Sequence, residues 1–244
     1  MIDPKSLTIS IVSHGQFYLL LPLLKDLKEC EQSYKIILTI NIPEKIIQPK
    51  WLKEISIFWI FNDKVKGFAE NHNYAFKYCE SELFLVLNPD IRINKNVLKN
   101  LIDLKAKEKI DILGPSILDA NQKKSINSRK FPNIFYPVLK LLYMTKKEYY
   151  YKKTDKILYT DWIGGMFLLI STEHYKKING FDTDFFLYFE DVDFCKRASE
   201  KNLTIGQARK ISITHFAQRN SHKKIKYFLY HLKSYFTYLK KHII

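Results

Sequence analysis

A mostly parallel, doubly wound α/β sheet is the fold class this sequence predicts, and three observations carry that expectation. Short β-branched or aliphatic runs recur through the first hundred residues, segments with apolar positions at helical spacing lie between them, and each run ends in a polar or turn-forming residue. Strand and helix in alternation build parallel sheets because each parallel connection needs a crossover.

The expected strands are Leu7 to Ser13, Lys35 to Asn41, Ile55 to Phe61 and Glu82 to Asn88. Residues 16–30 and 68–79 supply the intervening helices. Ligands of such sheets bind beyond the carboxyl ends of the strands, here Ser13-His14-Gly15, Asn41, Asn62-Asp63 and Asn88-Pro89-Asp90. From about residue 120 the pattern becomes less regular. A loop-like stretch runs through Arg129, Phe131 and Pro132, followed by an aromatic, lysine-rich segment at 135–153 and a strand-like run from Trp162 to Ile170. An acidic helix at about 188–201, an extended segment from Thr204 to His215 and a basic aromatic helix over 222–242 complete the chain.

With 244 residues, 46% of them hydrophobic, the chain can bury one substantial core. Only seven glycines and eight prolines occur, and no Ser/Gly/Pro-rich linker or internal repeat divides it. A net charge of +15 favours anionic partners: phosphorylated small molecules, nucleic acid or an acidic membrane face. No zinc-finger or RRM-like signature accompanies the charge, so nucleic acid is not an expected partner. Cys30, Cys79 and Cys195 stand far apart with no CxxC pair, which argues against a zinc ribbon or disulfide scaffold and suits a reducing compartment. No basic segment followed by an apolar run opens the chain, and no stretch reaches about 18 apolar residues. A cytoplasmic protein, either soluble or peripheral on the inner face of the cytoplasmic membrane, is the corresponding expectation.

The most informative stretch is Gly180 to Arg197, GFDTDFFLYFEDVDFCKR. The helix dipole alone accounts for acids in a first turn. The bed of Phe185, Phe186, Tyr188 and Phe189 changes their setting, because those surfaces need burial and draw Glu190 and Asp191 out of open water, where a carboxylate gains proton affinity. Asn88-Pro89-Asp90 closes a hydrophobic strand with a carboxylate at its tip, a hard ligand suited to Mg²⁺ or Mn²⁺ against a diphosphate. His215 follows an alternating strand. No GxGxxG or GxxxxGK loop is present, so any nucleotide must be held by carboxylate, amide and metal contacts. From His222 onward, Lys223, Lys224, Lys226, Lys233, Lys240 and Lys241 interleave with Ile225, Phe228, Leu229, Leu232, Tyr235, Phe236 and Leu239, and no acid intervenes. That pattern fits a terminal helix with a solvated lysine face or a helix lying on anionic headgroups.

In order and spacing, several of these pieces resemble the inverting glycosyltransferases of family 2, in particular the rhamnosyltransferase-like branch of bacterial surface polysaccharide assembly. They are ISIVSHG, NDKVKGFAENHNYAF (Asn62 to Phe76), LFLVLNPD, Arg129-Phe131-Pro132, DWIGGMF (Asp161 to Phe167), the acidic stretch and His215, together spanning roughly residues 6 to 221. The resemblance implies a GT-A type fold: a Rossmann-like, mostly parallel sheet flanked by helices, with a more irregular acceptor-binding second half and a basic C-terminal helix. It implies one domain over 1–221, its nucleotide-sugar half at 1–120 and its acceptor and catalytic half at 121–221, with the helix at 222–244.

It further implies a nucleotide-diphosphate-sugar donor, dTDP-rhamnose or a UDP-hexose, and Mg²⁺ or Mn²⁺ held by Asp90 and His215. Asn88 stands where many members have a further Asp. Ser13, Asn41, Asn62, Asn71, Asn88 and Asp90 are the implied donor contacts, Asn41 replacing the commoner Asp. Asp191 is the implied base and Glu190 its neighbour, with Trp162, Gly164, Gly165 and Glu190 at the acceptor. The acceptor would be a hydroxyl of a lipid-linked glycan or oligosaccharide in O-antigen, lipopolysaccharide or capsule assembly, with residues 222–244 docking on an anionic membrane surface. A catalytically silent nucleotide-sugar or carbohydrate binder on the same scaffold is the alternative, made conceivable by Asn88 and Asn41.

Overall fold

The computed structural model describes residues 6–133, 154–216 and 225–244. The expected segment at 135–153, and residues His222 to Lys224 of the expected terminal helix, lie outside them.

The first half alternates as its periodicity predicts: β1 (Leu7–Ser13), α1 (Phe17–Lys28), β2 (Tyr34–Ile40), a 3-10 turn (Lys50–Glu54), β3 (Ile57–Phe61), α2 (Phe68–Phe76) and β4 (Leu83–Leu87). β1 pairs in parallel with both β2 and β4, and β2 with β3. β4 is buried at all five positions, as a strand covered on both faces must be. A short β5 (Ile91–Arg92), α3 (Val97–Glu108) and β6 (Ile112–Leu118) follow, none of them anticipated from the sequence. β6 carries Gly114-Pro115, which reads as a turn. Proline has no N–H to offer the ladder, and the register against the neighbouring strand shifts between Gln207 and Ser212, opposite that proline.

In the second half the two-residue strands β7 (Lys124–Ser125) and β8 (Ser128–Arg129) precede β9 (Ile157–Tyr159), β10 (Trp162–Ile163), β11 (Phe167–Ser171), α4 (Thr172–Ile178), α5 (Glu190–Glu200), β12 (Ile205–His215) and α6 (Ile225–His242). The run expected as one strand from Trp162 to Ile170 is broken at Gly164-Gly165-Met166: β10 joins β8 in a separate ribbon, while β11 enters the main sheet.

The main sheet runs β3-β2-β1-β4-β11-β6-β12-β5, with β7 on β6 and β9 on β12. β11 is antiparallel to both of its neighbours. Its entry, rather than its exit, therefore borders the carboxyl ends of the parallel strands, and Gly164 to Met166 arrive there with it. The halves expected within one domain, 1–120 and 121–221, interleave in a single sheet: β11 lies between β4 and β6, and β12 between β6 and β5. β12 also returns His215 to the strand end of Asp90: His215 pairs with Ile91, and the Phe216 N–H donates to the Asp90 carbonyl at 2.9 Å.

Candidate active site

A cavity of about 500 Å³ opens at the carboxyl ends of β1, β2 and β4. Its floor includes Val12, His14, Asn41, Asn88 and Asp90, and its far wall Phe186, Leu187 and the α6 residues Lys226, Tyr227 and Tyr230. The Asp90 Oδ2 lies 3.2 Å from His215 Nε2, and its Oδ1 is buried without a hydrogen-bond partner. Arg92 anchors the following strand to α1 by a two-pronged bond to Asp26, which fixes the chain just beyond Asp90.

An orphaned, buried carboxylate oxygen beside an imidazole is a donor set that suits a divalent cation. Among the described residues no group of three or more His, Cys, Asp or Glu side chains converges. Asp90 and His215 could thus hold such an ion only with ligands from outside the protein completing its coordination.

The asparagines expected to touch the donor form an internal network. Asn41 Oδ1 accepts from the Lys66 N–H and from Asn62 Nδ2, both at 2.9 Å, while Asn62 Nδ2 also donates to Asn71 Oδ1 at 2.7 Å. Asn71 donates to the Lys66 and Gly67 carbonyls. Asn41 and Asn71 line the cavity, but Asn62 stays behind them, and the three amides pin the loop from Lys64 to Gly67 that forms the rim. Ser13 is fully buried while its neighbours Val12 and His14 face the cavity, so strand alternation removes the Ser13 side chain from the expected contact set. Beneath the rim, His72 bonds Ser10 at 2.8 Å and packs on Phe68; full burial pushes its pKa down to about 3, keeping it neutral.

A smaller cavity of about 150 Å³ adjoins, lined by Pro132, Trp162, Tyr188, Phe189, Glu190, Asp191 and His231 of α6. Residues 186–191 run from one cavity to the other as a single wall segment, Phe186 and Leu187 lining the larger and Tyr188 to Asp191 the smaller. That wall is fastened at Gly67, where the Phe68 N–H donates to the Phe186 carbonyl at 3.0 Å, an approach that leaves no room for a β-carbon on Gly67. Tyr188 and Phe189 both take left-handed backbone conformations, φ 70° and 66°, each costing bulky residues about 1–2 kcal/mol. The turn they make delivers Glu190 and Asp191 as the first residues of α5.

The two carboxyls differ in setting. Asp191 keeps some exposure at the cavity, and its oxygens accept from the Gly165 and Val192 N–H groups, both at 2.9 Å. Glu190 is buried, with Oε2 unpartnered. Desolvation raises both pKa values; the Asp191 charge lifts Glu190 further, well above the ordinary glutamate value, whereas the two N–H bonds oppose the rise at Asp191. A pair pushed apart in this way holds its proton on Glu190 and its charge on Asp191.

Trp162, one of the expected acceptor residues, lines the smaller cavity. Gly164 instead donates its N–H to Asn127, whose Oδ1 leaves no room for a β-carbon there, and Gly165 orients Asp191 rather than lining the cavity. His231 and Tyr230 are lining residues that sequence reasoning did not single out, and Lys226 was expected only on the lysine face, because a basic helix reads as a surface element.

The model of glycosyl transferase family 2 matches residues 24–172. The chain belongs to that family. A second model, described as the N-terminal domain of galactosyltransferase, matches residues 148–229 and takes in Trp162, the acidic stretch and His215. Among curated relatives, the rhamnosyltransferase WbbL of Escherichia coli K12 is 29% identical over 96% of this chain and 92% of its own. The low-salt glycan biosynthesis hexosyltransferase Agl10 of Haloferax volcanii is 27% identical over 68% of this chain and 54% of its own. Solved structures share the fold: Staphylococcus aureus TarS superposes with a TM-score of 0.64 at 15% identity, over 87% of this chain and 37% of that one. The mannosyltransferase PcManGT of Pyrobaculum calidifontis, solved with GDP-Man and Mn²⁺, gives 0.60 at 13% identity over 98% and 66%. The fold is thus the GT-A type, and the chain is a family 2 glycosyltransferase.

Proposed function

We propose that the protein transfers a sugar, with inversion, from a nucleotide-diphosphate donor in the larger cavity to an acceptor hydroxyl in the smaller one. The observation that carries this reading is the continuous segment 186–191, which lines the cavity of Asp90 with Phe186 and Leu187 and carries Asp191 into the other, while His215 backs Asp90. Asp191 takes the proton of the acceptor hydroxyl; that oxygen forms the new bond to the anomeric carbon as the bond to the diphosphate oxygen breaks on the opposite face. Opposite-face attack in one step inverts the configuration. Gly165 and Val192 hold the base in orientation, and Trp162, Phe189 and Pro132 exclude water around it.

Asp90 and His215 would hold Mg²⁺ or Mn²⁺, which when bound supplies positive charge to the departing diphosphate. Lys226 and His14 add polar contacts in the same cavity. The resemblance to a rhamnosyltransferase and to a glycan biosynthesis hexosyltransferase supports a deoxyhexose or hexose donor such as dTDP-rhamnose or a UDP-hexose; the acceptor we propose is a lipid-linked glycan of polysaccharide assembly. We place the protein at the cytoplasmic face of the membrane that carries that acceptor.

The test is thermal stabilisation by UDP, dTDP and GDP with and without Mn²⁺, followed by NMR of the anomeric configuration of the product. One nucleoside diphosphate should stabilise the protein only with the metal, Asp90→Asn should remove the metal-dependent part, and the product should carry the inverted anomer. Retention of configuration would refute the one-step mechanism, and binding without transfer to any acceptor would return the chain to the silent-binder alternative.

A further inference from the structure

α6 is amphipathic on two sides. Its inner face buries Ser234, Tyr235, Tyr238 and Leu239 against Phe185, Phe189 and Val192, while His242 bonds the buried Asp193 at 2.8 Å and Lys241 pairs with Asp182 and Asp184. The same face walls both cavities, through Lys226, Tyr227 and Tyr230 on one and His231 on the other. The outer face is unlike a solvated helix surface. Ile225, Phe228, Leu229, Leu232 and Phe236 stand there 80%, 63%, 55%, 38% and 59% exposed. Their spacing of three, four and seven residues makes one continuous apolar stripe.

Beside it runs a second row. Lys233 and Lys240 are both exposed and stand seven residues apart, a spacing that returns nearly to the same angle on a helix. No acid lies on α6. An apolar stripe flanked by a row of long cations matches the boundary of an anionic bilayer, where the stripe enters the acyl region and the ammonium groups reach the headgroups. A second copy of the chain fits less well, because a two-fold interface on this stripe would bring two lysine rows together.

We infer that α6 lies on an anionic lipid surface by this outer face, and that the same helix thereby ties membrane docking to the two cavities its inner face walls. The inference rests on the proposed transfer reading only in giving the dock a lipid-linked acceptor to meet. Docking restrains α6, and the restraint passes to residues 185–192 through the aromatic cluster and the His242–Asp193 bond.

The full chain, without donor or metal, is sedimented with phosphatidylcholine vesicles containing or lacking phosphatidylglycerol, and hydrogen exchange is followed with and without vesicles. The protein should bind the phosphatidylglycerol vesicles and release them at high salt. A Leu229→Glu/Phe236→Glu variant, altered only on the exposed stripe, should lose more than about tenfold in partitioning with its melting temperature unchanged. Lys233→Gln/Lys240→Gln should lose roughly 30-fold, from about fivefold per lysine. Exchange should slow in α6 and in residues 185–192 together.

Failure to bind phosphatidylglycerol vesicles, or equal binding to phosphatidylcholine alone, overturns the dock. So does a dimer that Leu229→Glu/Phe236→Glu converts to monomer, because a second copy would then cover the stripe. Slowing confined to α6 overturns the tie to the cavities. Any of these negative results leaves the nucleotide and product assays free to support transfer, so the two readings fail separately.

Discussion

Replacing Gly67 by alanine tests whether the wall segment is fastened where the structure fastens it. Gly67 has φ −68°, which alanine adopts freely, so the cost is steric alone. An added β-carbon would meet the Phe186 carbonyl oxygen at 2.7 Å and its Cα at 3.0 Å, against the 3.4 Å at which ordinary contact begins. Relief at the oxygen therefore needs 3.4 − 2.7 = 0.7 Å of separation. Both partners are backbone, so no flexible side chain can give way. That movement carries the Phe68 N–H beyond reach of the Phe186 carbonyl, a loss of about 0.5–1.5 kcal/mol, added to about 1–3 kcal/mol for overpacking.

The sum, about 1.5–4.5 kcal/mol, lowers the melting temperature by roughly 3–18 °C in a chain of this size. Turnover should fall too, on the order of 10-fold to 100-fold, because the displaced segment is the one that ends in Asp191. Thermal unfolding and kcat/KM for the donor read the two effects. Unchanged melting together with unchanged turnover would refute the claim that this contact joins the rim to the acids.

Asp191→Asn should lower kcat by about 10² to 10⁴ while keeping the bond from the Gly165 N–H and the melting temperature; full turnover would remove Asp191 as the base. Glu190→Gln should stabilise the protein as pH rises. Burial places the folded pKa of Glu190 above the ordinary 4.5, so the folded state holds its proton longer, and stability present below 4.5 is lost as pH climbs toward the raised value. The melting-temperature advantage of the glutamine variant should thus be absent below 4.5 and grow above it, and a constant difference across that range would contradict the burial argument. His242→Ala leaves Asp193 Oδ1 without its α6 partner and should cost about 1–3 kcal/mol, seen as a lower denaturation midpoint and faster exchange in α6; an unaltered midpoint would mean the helix is held by apolar contact alone.

Much of the fold is legible in the sequence because parallel strands buried on both faces leave continuous aliphatic runs: β1 is expected with its observed bounds and β2 and β4 within one residue, while the edge strand β3, partly exposed, is expected within two. β6 escapes such reading because Gly114-Pro115 inside it carries the chemistry of a turn. The acids were legible for a different reason, since an aromatic bed next to Glu190 and Asp191 demands burial whatever the fold. The asparagines were not: an amide that braces a loop and one that meets a ligand look alike along the chain, and the distances from Asn62 to Asn41 and Asn71 distinguish them. Ser13 was lost to alternation at the last residue of a strand, and His231 was hidden in a helix whose charge drew attention to its outer side.

The insertion of β11 between β4 and β6 has a consequence for engineering. A recombinant chimaera spliced near residue 120 would ask a foreign strand to slot between two native ones, matching registers on both flanks before either cavity could form. Donor preference and acceptor preference in this scaffold are therefore not exchangeable cassettes, and altered specificity has to be sought by point changes around the cavities.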